Sequence, residues 1–352
     1  MADPSASISE RLRRILQQAP PAFAAAEAAA IAREQFGVEG ELVPLVSERD
    51  QNFRLSTGDG RRLVLKIANL LETHDVVAFQ TAALQAVAAA DPGLPVPRVC
   101  LGRSGEAIGV VRSADGTHLV RLLSFLPGVA ASGQARSPAL RRAIGAMAGR
   151  LDRALAGFAH PADDHALIWH MKHAGALRPL CAAIPDPAWR RWISAHFDRF
   201  TAEIGPRLLR LRSQVIHHDF NTNNIIVDPA RPAEITGIID FGDMARAPLV
   251  AELAVAVAYQ IYDQADPVAA AAELVGAYHA ERPLLPDELA LLPDLVATRY
   301  ATRIAISAWR IAAFPEGSRY DPAINEMAWS TMERLAALGS AAVARRLQEA
   351  CP

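Results

Sequence analysis

The stretch VIHHDFNTNNIIVD, residues 215–228, decides the fold of this 352-residue chain. It places two histidines, two aspartates and three asparagines between runs of valine and isoleucine. Branched apolar residues on both sides indicate β-strands, so we expect a short hairpin that holds a polar loop at fixed geometry. A second apolar run, ITGIID at residues 235–240, ends at Asp240 and brings a further carboxylate to a strand end.

The spacing of these polar residues indicates phosphoryl transfer. His217, Asp219 and Asn224 form the pattern H-x-D-x-x-x-x-N, and Asp240 begins the triplet D-F-G. In that chemistry one aspartate orients the attacking hydroxyl or accepts its proton, while an asparagine and a second aspartate hold metal on the phosphates. Carboxylate and amide oxygens are the ligands that Mg²⁺ accepts in proteins. The two motifs therefore predict a Mg²⁺-dependent kinase reaction.

The first part of the chain predicts a small antiparallel sheet with helices. An alanine-rich helix is expected over residues 22–36, ended by Gly37, and a second helix over about residues 75–90. Period-two patterns predict strands in ELVPLV, NFRLST, RRLVLKIA, AIGVVRS and HLVRLLSF, with GDG at residues 58–60 as a tight turn.

The remainder of the chain is predominantly helical in pattern. Ser137 is a candidate N-cap for a helix that has Pro138 at its first position. The change in composition divides the chain into an N-terminal lobe with leading helices, residues 1–125, and a C-terminal lobe, residues 126–352. The strand RLVLKIA carries Lys66, on the same face as Val64.

Five stretches resemble one known superfamily: SERDQNFRL, LVLKIAN, LLSFLPG, VIHHDFNTNN and GIIDFGDM. They are similar to the aminoglycoside phosphotransferase and choline kinase superfamily, and most closely to its hydroxylysine kinase-like branch, over residues 22–335. The resemblance implies an α+β, bilobal protein-kinase-like fold. The small N-terminal lobe would hold an antiparallel sheet plus helix and bind nucleotide, and the larger helical lobe would carry catalysis and acceptor binding.

The resemblance also implies roles for the motif residues. Asp219 would be the catalytic base, and Asn224 and Asp240 the magnesium ligands. Lys66 would contact the α and β phosphates of the nucleotide. His217 would brace the catalytic loop by hydrogen bonding rather than take part in the chemistry.

Further nucleotide contacts are implied at three places in the N-terminal lobe. Ser47 to Asn52 would form the turn over the phosphates, although the turn lacks the glycines of a protein-kinase loop. Ser124 and Leu126 would lie in the hinge, which presents backbone groups to the base. Gln80 occupies the helix position that usually carries a glutamate paired with the lysine, and its amide is expected to hydrogen-bond Lys66 instead.

Several residues near the motifs have open or structural roles. His218 stands where the family more often has glycine, and Asp243 could serve a metal, an acceptor amine or only the loop. Glu252 is expected to be structural. Arg299 and Arg303, one helical turn apart, could receive an acceptor carboxylate, but a salt bridge to acids of the large lobe is favoured. The five tryptophans are interpreted as core residues.

Composition and charge limit the kinds of molecule that the protein is expected to bind and the compartment in which it is expected to occur. With 36 basic and 38 acidic residues, no global charge favours nucleic acid or an anionic membrane. Three widely separated cysteines fit neither a disulfide framework nor a zinc site, which indicates a reducing cytoplasm. The sequence gives no indication of the oligomeric state.

We therefore expect a kinase that moves the γ-phosphate of ATP or GTP to the hydroxyl of a small amine-bearing alcohol or hydroxy amino acid. An aminoglycoside O-phosphotransferase is the first alternative, but it calls for a more acidic acceptor region than the mixed charges of the C-terminal part. A catalytically inactive nucleotide-binding pseudokinase is the second. A protein kinase is disfavoured because no A-P-E segment follows Asp240.

Overall fold

The structure is a computed structural model that describes residue 10 and residues 20–47, 49–165, 167–314 and 322–351. The chain divides into two compact units. The first comprises the described residues up to Pro127 together with His160–His165 and Gly237–Ile239, and the second comprises the other described residues. No helix in the described ranges is both long and apolar enough to cross a membrane.

The first unit is built on an antiparallel sheet in the order β1-β2-β3-β6-β4, with β5 paired to β6. Its strands are β1 (Glu41–Leu45), β2 (Gln51–Ser56), β3 (Arg62–Ile67), β4 (Val99–Cys100), β5 (Gly109–Arg112) and β6 (Thr117–Ser124). Its helices are α1 (Ala25–Ile31), continued by a π-helical turn at Ala32–Phe36, and α2 (His74–Ala90). All the strands and helices predicted in this region are confirmed, and β4 is an addition.

The apolar residues of α1 and of the π-helical turn that continues it cover one face of this sheet. Ala28, Ile31 and Phe36 pack in one buried cluster with alternate residues of β2, β3 and β6, such as Phe53 and Leu65. Burial of alternate strand residues is what the period-two pattern predicts. The other alternate set, including Lys66, is left for the opposite face. Lys66 lies directly across the β2-β3 ladder from Asn52.

The second unit is mainly helical. Its helices are α3 (Pro138–Ala154), α4 (Pro187–Arg199), α5 (Gly205–Leu208), α6 (Val250–Gln260), α7 (Pro267–Glu281), α8 (Pro286–Ala313), α9 (Pro322–Leu338) and α10 (Ser340–Glu349). A 3₁₀ helix spans Met171–Ala183 and a π-helical turn spans Phe200–Ile204. Helix α3 begins as predicted, because Ser137 accepts a hydrogen bond from the backbone of Leu140 at 3.1 Å.

The strands around the catalytic stretch do not form the expected hairpin. Strand β8 (Ser213–Ile216) pairs with β11 (Ala245–Pro248), whereas β9 (Ile225–Asp228) lies between β7 (Val129–Ala130) and β10 (Arg231–Ile238). The prediction that VI and IIV pair with each other was therefore wrong. The polar loop connects two separate sheets, so its two ends are anchored independently.

Gly128 permits a close approach of backbone at the β7 end of the second sheet. Its φ is 138°, and a Cβ atom there would lie 2.5 Å from the carbonyl oxygen of Val227 and 2.7 Å from Oγ1 of Thr236. Only glycine fits both this backbone conformation and this contact without displacing its neighbours. Gly128 is thus fixed against β9, the strand that follows the catalytic loop.

Candidate active site

Asp219 lies in the loop that follows β8 and is held from both sides of its carboxylate. Its Oδ2 accepts hydrogen bonds from Nδ2 of Asn221 and Nδ2 of Asn224, both at 2.8 Å. Its Oδ1 accepts one from Nη2 of Arg299, also at 2.8 Å. The side chain remains 20% exposed. The loop therefore presents an oriented carboxylate that is still open to a substrate.

His217 contacts both the catalytic loop and the D-F-G triplet. The ring is fully buried, and its Nδ1 accepts a hydrogen bond from the backbone amide of Asp219 at 3.3 Å. Its ring centroid lies 4.7 Å from that of Phe241, the middle residue of the D-F-G triplet. His217 therefore contacts both segments, as expected of a residue that braces the loop, and it has no exposure to solvent.

Two non-glycine residues at the motifs have left-handed backbone conformations. The φ of His218 is 67° and that of Asp240 is 62°. Such values cost free energy in residues with a Cβ atom and are frequent at functional sites. Glycine would adopt the backbone conformation of His218 without this cost.

Glu252 stabilises the turn at His218. This carboxylate is fully buried at the start of α6, and its Oε2 accepts a hydrogen bond from the His218 amide at 2.6 Å. Burial, together with the nearby charge of Asp152, raises the pKa of Glu252 well above its ordinary value. The structural role expected for Glu252 is confirmed, since it supports the residue that precedes Asp219.

Asn224 and Asp240 provide oxygen atoms that could serve as ligands of a hard divalent cation. Because Nδ2 of Asn224 donates to both the backbone oxygen and the carboxylate of Asp219, its Oδ1 remains as an acceptor. Asp240 follows β10, is exposed, and has one carboxylate oxygen 3.4 Å from the amide of Gly242. One amide and one carboxylate oxygen fit an ion whose other ligands are phosphate and water.

Arg299, on α8, is the cation of the site. Its side chain is 5% exposed and pairs with Asp219 as the sequence favoured. The guanidinium carbon lies 4.7 Å from the ring centroid of Trp169 and 5.6 Å from that of Tyr259. Trp169 is half-buried and packs against Arg299, so it lies at the edge of the core beside the site. Its position beside Arg299 gave no signal in the sequence, because 130 residues separate the two.

Lys66, in the first unit, has a different partner from the one expected. Its Nζ lies 3.5 Å from Oδ2 of Asp50, whereas Oε1 of Gln80 accepts a hydrogen bond from Nη2 of Arg121 at 2.8 Å. The expected Gln80–Lys66 hydrogen bond is not formed within the described ranges. The reason is that a second cation, Arg121, stands on the neighbouring strand directly opposite Lys66 and takes the amide.

Asp50 is the acid that sequence reasoning missed. Burial alone raises its pKa, but the charge of Lys66 and hydrogen bonds from Asn69 outweigh burial and lower the pKa below its ordinary value. The Asn69 backbone and side chain both donate to Oδ1 at 3.1 Å. Asp50 lies within the SERDQNFRL stretch, so the resemblance included this residue but did not indicate that it pairs with Lys66.

The other expected nucleotide contacts lie at the ends of strands. Ser47 is in the connection between β1 and β2, and Glu48 of the same turn lies outside the described residues; Asn52 is in β2 with a buried Oδ1. Ser124 ends β6, and its amide donates to the carbonyl of Arg98 at 2.9 Å. The amide of Leu126, by contrast, makes no backbone hydrogen bond to any described residue.

Comparison with known proteins yields a family and full-length relatives. Residues 41–292 match the model of the phosphotransferase enzyme family. Hydroxylysine kinase of Mus musculus is 28% identical to the chain over 349 residues, and the alignment covers 92% of each protein.

Two solved structures share the fold. Amicoumacin kinase hAmiN, in complex with AMP-PNP, Ca²⁺ and Ami, superposes with a TM-score of 0.68 at 16% identity over 90% of this chain and 94% of that one. The microcompartment-associated aminopropanol kinase superposes with a TM-score of 0.60 at 19% identity over 93% and 98%. The predicted α+β, protein-kinase-like fold is confirmed.

Proposed function

The chain belongs to the phosphotransferase enzyme family, and on that premise we propose that it transfers the γ-phosphate of ATP or GTP to the hydroxyl of an amino alcohol or a hydroxy amino acid. That the chain is a small-molecule kinase acting on hydroxyl groups follows from the family and from similarity along nearly the whole length of hydroxylysine kinase. The acceptor class and the residue roles below are the proposal.

The arrangement around Asp219 is the observation that carries the proposal. Two amide groups and one guanidinium hold the carboxylate in a single orientation at the end of β8. An acceptor hydroxyl that donates to this carboxylate would be oriented by it and would release its proton to Asp219 as its oxygen attacks the γ-phosphorus and the nucleoside diphosphate leaves. Positioning and electrostatic stabilisation are most of what a protein contributes to phosphoryl transfer, because the reaction needs little covalent assistance.

Asn224 and Asp240 would hold Mg²⁺. The ion, when bound, neutralises charge on the phosphates. The described residues contribute two oxygen donors and, around them, a loop fixed by His217 and Phe241. Asn224 would couple the ion to the base, since its amide nitrogen already donates to Asp219.

The first unit would bind the nucleotide. Lys66 would contact the α and β phosphates, and its ion pair with Asp50 would keep the ammonium in place before the nucleotide arrives. The unengaged amide of Leu126 would donate to the base, a contact that ATP and GTP can both accept from backbone. We thus assign nucleotide binding to residues 1–125 with the adjoining hinge, and catalysis and acceptor binding to residues 126–352. The cytoplasmic location stays a prediction.

Turnover measured in a coupled assay tests the proposal. Purified protein is given Mg²⁺ with ATP or GTP and, in turn, hydroxylysine, homoserine, ethanolamine, choline or an aminoglycoside, beside a Lys66→Ala variant. We expect one hydroxy amino acid or amino alcohol to be phosphorylated and the variant to lose activity. Turnover confined to aminoglycosides would establish the first alternative, and nucleotide binding without turnover of any acceptor would establish the pseudokinase.

A further inference from the structure

Arg299 has more hydrogen-bonding capacity than the described residues use. A guanidinium carries five N–H donors. Nη2 donates to Asp219 at 2.8 Å and lies 3.5 Å from the hydroxyl of Tyr259. Nε is buried with no hydrogen-bond partner, and Nη1 makes no hydrogen bond to a described residue. A side chain that is only 5% exposed thus keeps unsatisfied donors beside the catalytic carboxylate.

Such unsatisfied donors are costly unless a ligand supplies acceptors. A buried charged donor that lacks a partner loses its hydration without compensation. Asp219 contacts Nη2 through a single oxygen, so the planar fork of the guanidinium is not occupied by the bidentate carboxylate that fits it best. The group therefore calls for a second anion with two acceptor oxygens.

The aromatic neighbours fix the direction in which that anion can be bound. The guanidinium carbon lies within 6 Å of the ring centroids of Trp169 and Tyr259, over the face of each ring. Nη2 gives one of its two N–H groups to Asp219, and its other N–H shares an edge with Nε or with Nη1, so one two-donor edge of the guanidinium remains for an anion. An anion bound there would lie within one guanidinium width of the proposed base.

The positive charge also bears on which acceptors are admitted. An acceptor that carries only amines, such as an aminoglycoside or a simple amino alcohol, would supply no anion to Arg299 and would leave its spare donors unpaired. A zwitterionic acceptor would place its carboxylate there and leave its amine for the acids of the loop. Charged donors that the wrong substrate leaves unpaired are an effective source of specificity.

We propose that Arg299 binds the α-carboxylate of the acceptor, which makes hydroxy amino acids, rather than amino alcohols or aminoglycosides, the substrate class. This inference rests on the proposed function and deepens it. Arg299 would then serve twice: it holds Asp219 through Nη2 and the substrate carboxylate through the other donors. The hydroxyl to be phosphorylated would be carried to Asp219 by the same anchoring.

The test compares hydroxylysine with the diamino alcohol that remains when its carboxylate is removed. Both acceptors have the same hydroxyl and amines, so their kcat/KM ratio isolates the carboxylate. For the wild-type protein we expect a preference for hydroxylysine on the order of 100-fold, typical of a buried charge pair that loses one partner. In Arg299→Gln the ratio should fall towards one, mainly through KM for hydroxylysine. Any loss common to both acceptors, through Asp219, cancels in the ratio.

Three further variants keep the result interpretable. Arg299→Lys is the substitute variant should Arg299→Gln fail to fold. It retains the charge without the planar fork, so it should keep part of the preference for hydroxylysine. Arg303→Gln, one turn along α8, tests the rival arginine, and Arg310→Gln, further along the same helix, is the matched control. Both should retain the wild-type ratio. A ratio unchanged in Arg299→Gln, or abolished in Arg303→Gln instead, would overturn the inference.

Acceptor binding measured by calorimetry separates this inference from the proposed function. Binding of hydroxylysine that depends on Arg299, without phosphoryl transfer, would support the carboxylate site and contradict the kinase reaction. Transfer to the diamino alcohol as efficient as transfer to hydroxylysine would do the reverse. An equal fall in kcat/KM for both acceptors in Arg299→Gln, which leaves their ratio at the wild-type value, would mean that the arginine acts only through Asp219 or the phosphate, and would overturn the inference.

Discussion

Replacement of Asp219 by asparagine changes charge while leaving shape almost intact. The aspartate accepts three side-chain hydrogen bonds, two at Oδ2 and one at Oδ1. Asparagine offers only one acceptor oxygen, so its amide nitrogen must face either the two asparagines or Arg299. The less unfavourable orientation keeps the oxygen towards Asn221 and Asn224 and turns the amide nitrogen to Arg299, donor against donor.

That orientation sets the expected magnitudes. Removal of one partner from a buried ion pair destabilises a protein by about 3–5 kcal/mol. Because Asp219 is 20% exposed, we expect the low end, about 3 kcal/mol, which leaves a folded protein with a reduced Tm. Loss of the base should lower kcat by a factor of about 10²–10⁴, because general base catalysis contributes that much. Nucleotide affinity should be nearly unchanged.

The double variant Asp219→Asn, Arg299→Gln separates the two effects. Removal of the uncompensated cation should restore part of the lost stability, measured by urea denaturation, but no turnover. Single-turnover kinetics and calorimetric nucleotide binding complete the comparison. An Asp219→Asn enzyme with kcat within tenfold of the wild-type value would refute the base assignment. A double variant no more stable than the single one would refute the electrostatic reasoning.

Three other perturbations have defined outcomes. Asp240→Asn should weaken nucleotide binding in the presence of Mg²⁺ but not in its absence; equal affinities with metal present would contradict the ligand role. Gly128→Ala should destabilise by at least about 2 kcal/mol in urea denaturation, because it combines a left-handed backbone with a close contact, whereas Gly133→Ala, with open space around it, should have little effect. Burial raises the pKa of Asp152 to about 8 from 3.8. The stability that its protonated form contributes is therefore complete below 3.8 and lost as pH rises through about 8, so Asp152→Asn should flatten the fall of Tm over that interval.

The parts of the site that are close in sequence could be predicted, and the parts that depend on distant contacts could not. His217, Asp219 and Asn224 form one motif, so their spacing alone places them in one loop. The partner of Lys66 was misassigned because Asp50 and Gln80 compete for it, and only the cross-strand position of Arg121 decides that competition.

Strand pairing failed for a similar reason. The apolar runs on either side of the catalytic loop have residues typical of strands, and both form strands. Their side-chain pattern states which face is buried, not which strand is adjacent. β8 pairs with β11, some 30 residues later in the chain, and β9 pairs with β7, nearly 100 residues earlier. No local sequence pattern could therefore distinguish these pairings from a hairpin.

The left-handed conformations at His218 and Asp240 bear on how this enzyme could evolve. Glycine or asparagine would relax the backbone at both positions, so a selection for heat resistance alone would favour such replacements there. At Asp240 the replacement would remove a proposed metal ligand, whereas at His218 it would spare the motif. Selection for thermal tolerance and selection for turnover should thus agree at one of these two strained positions and conflict at the other.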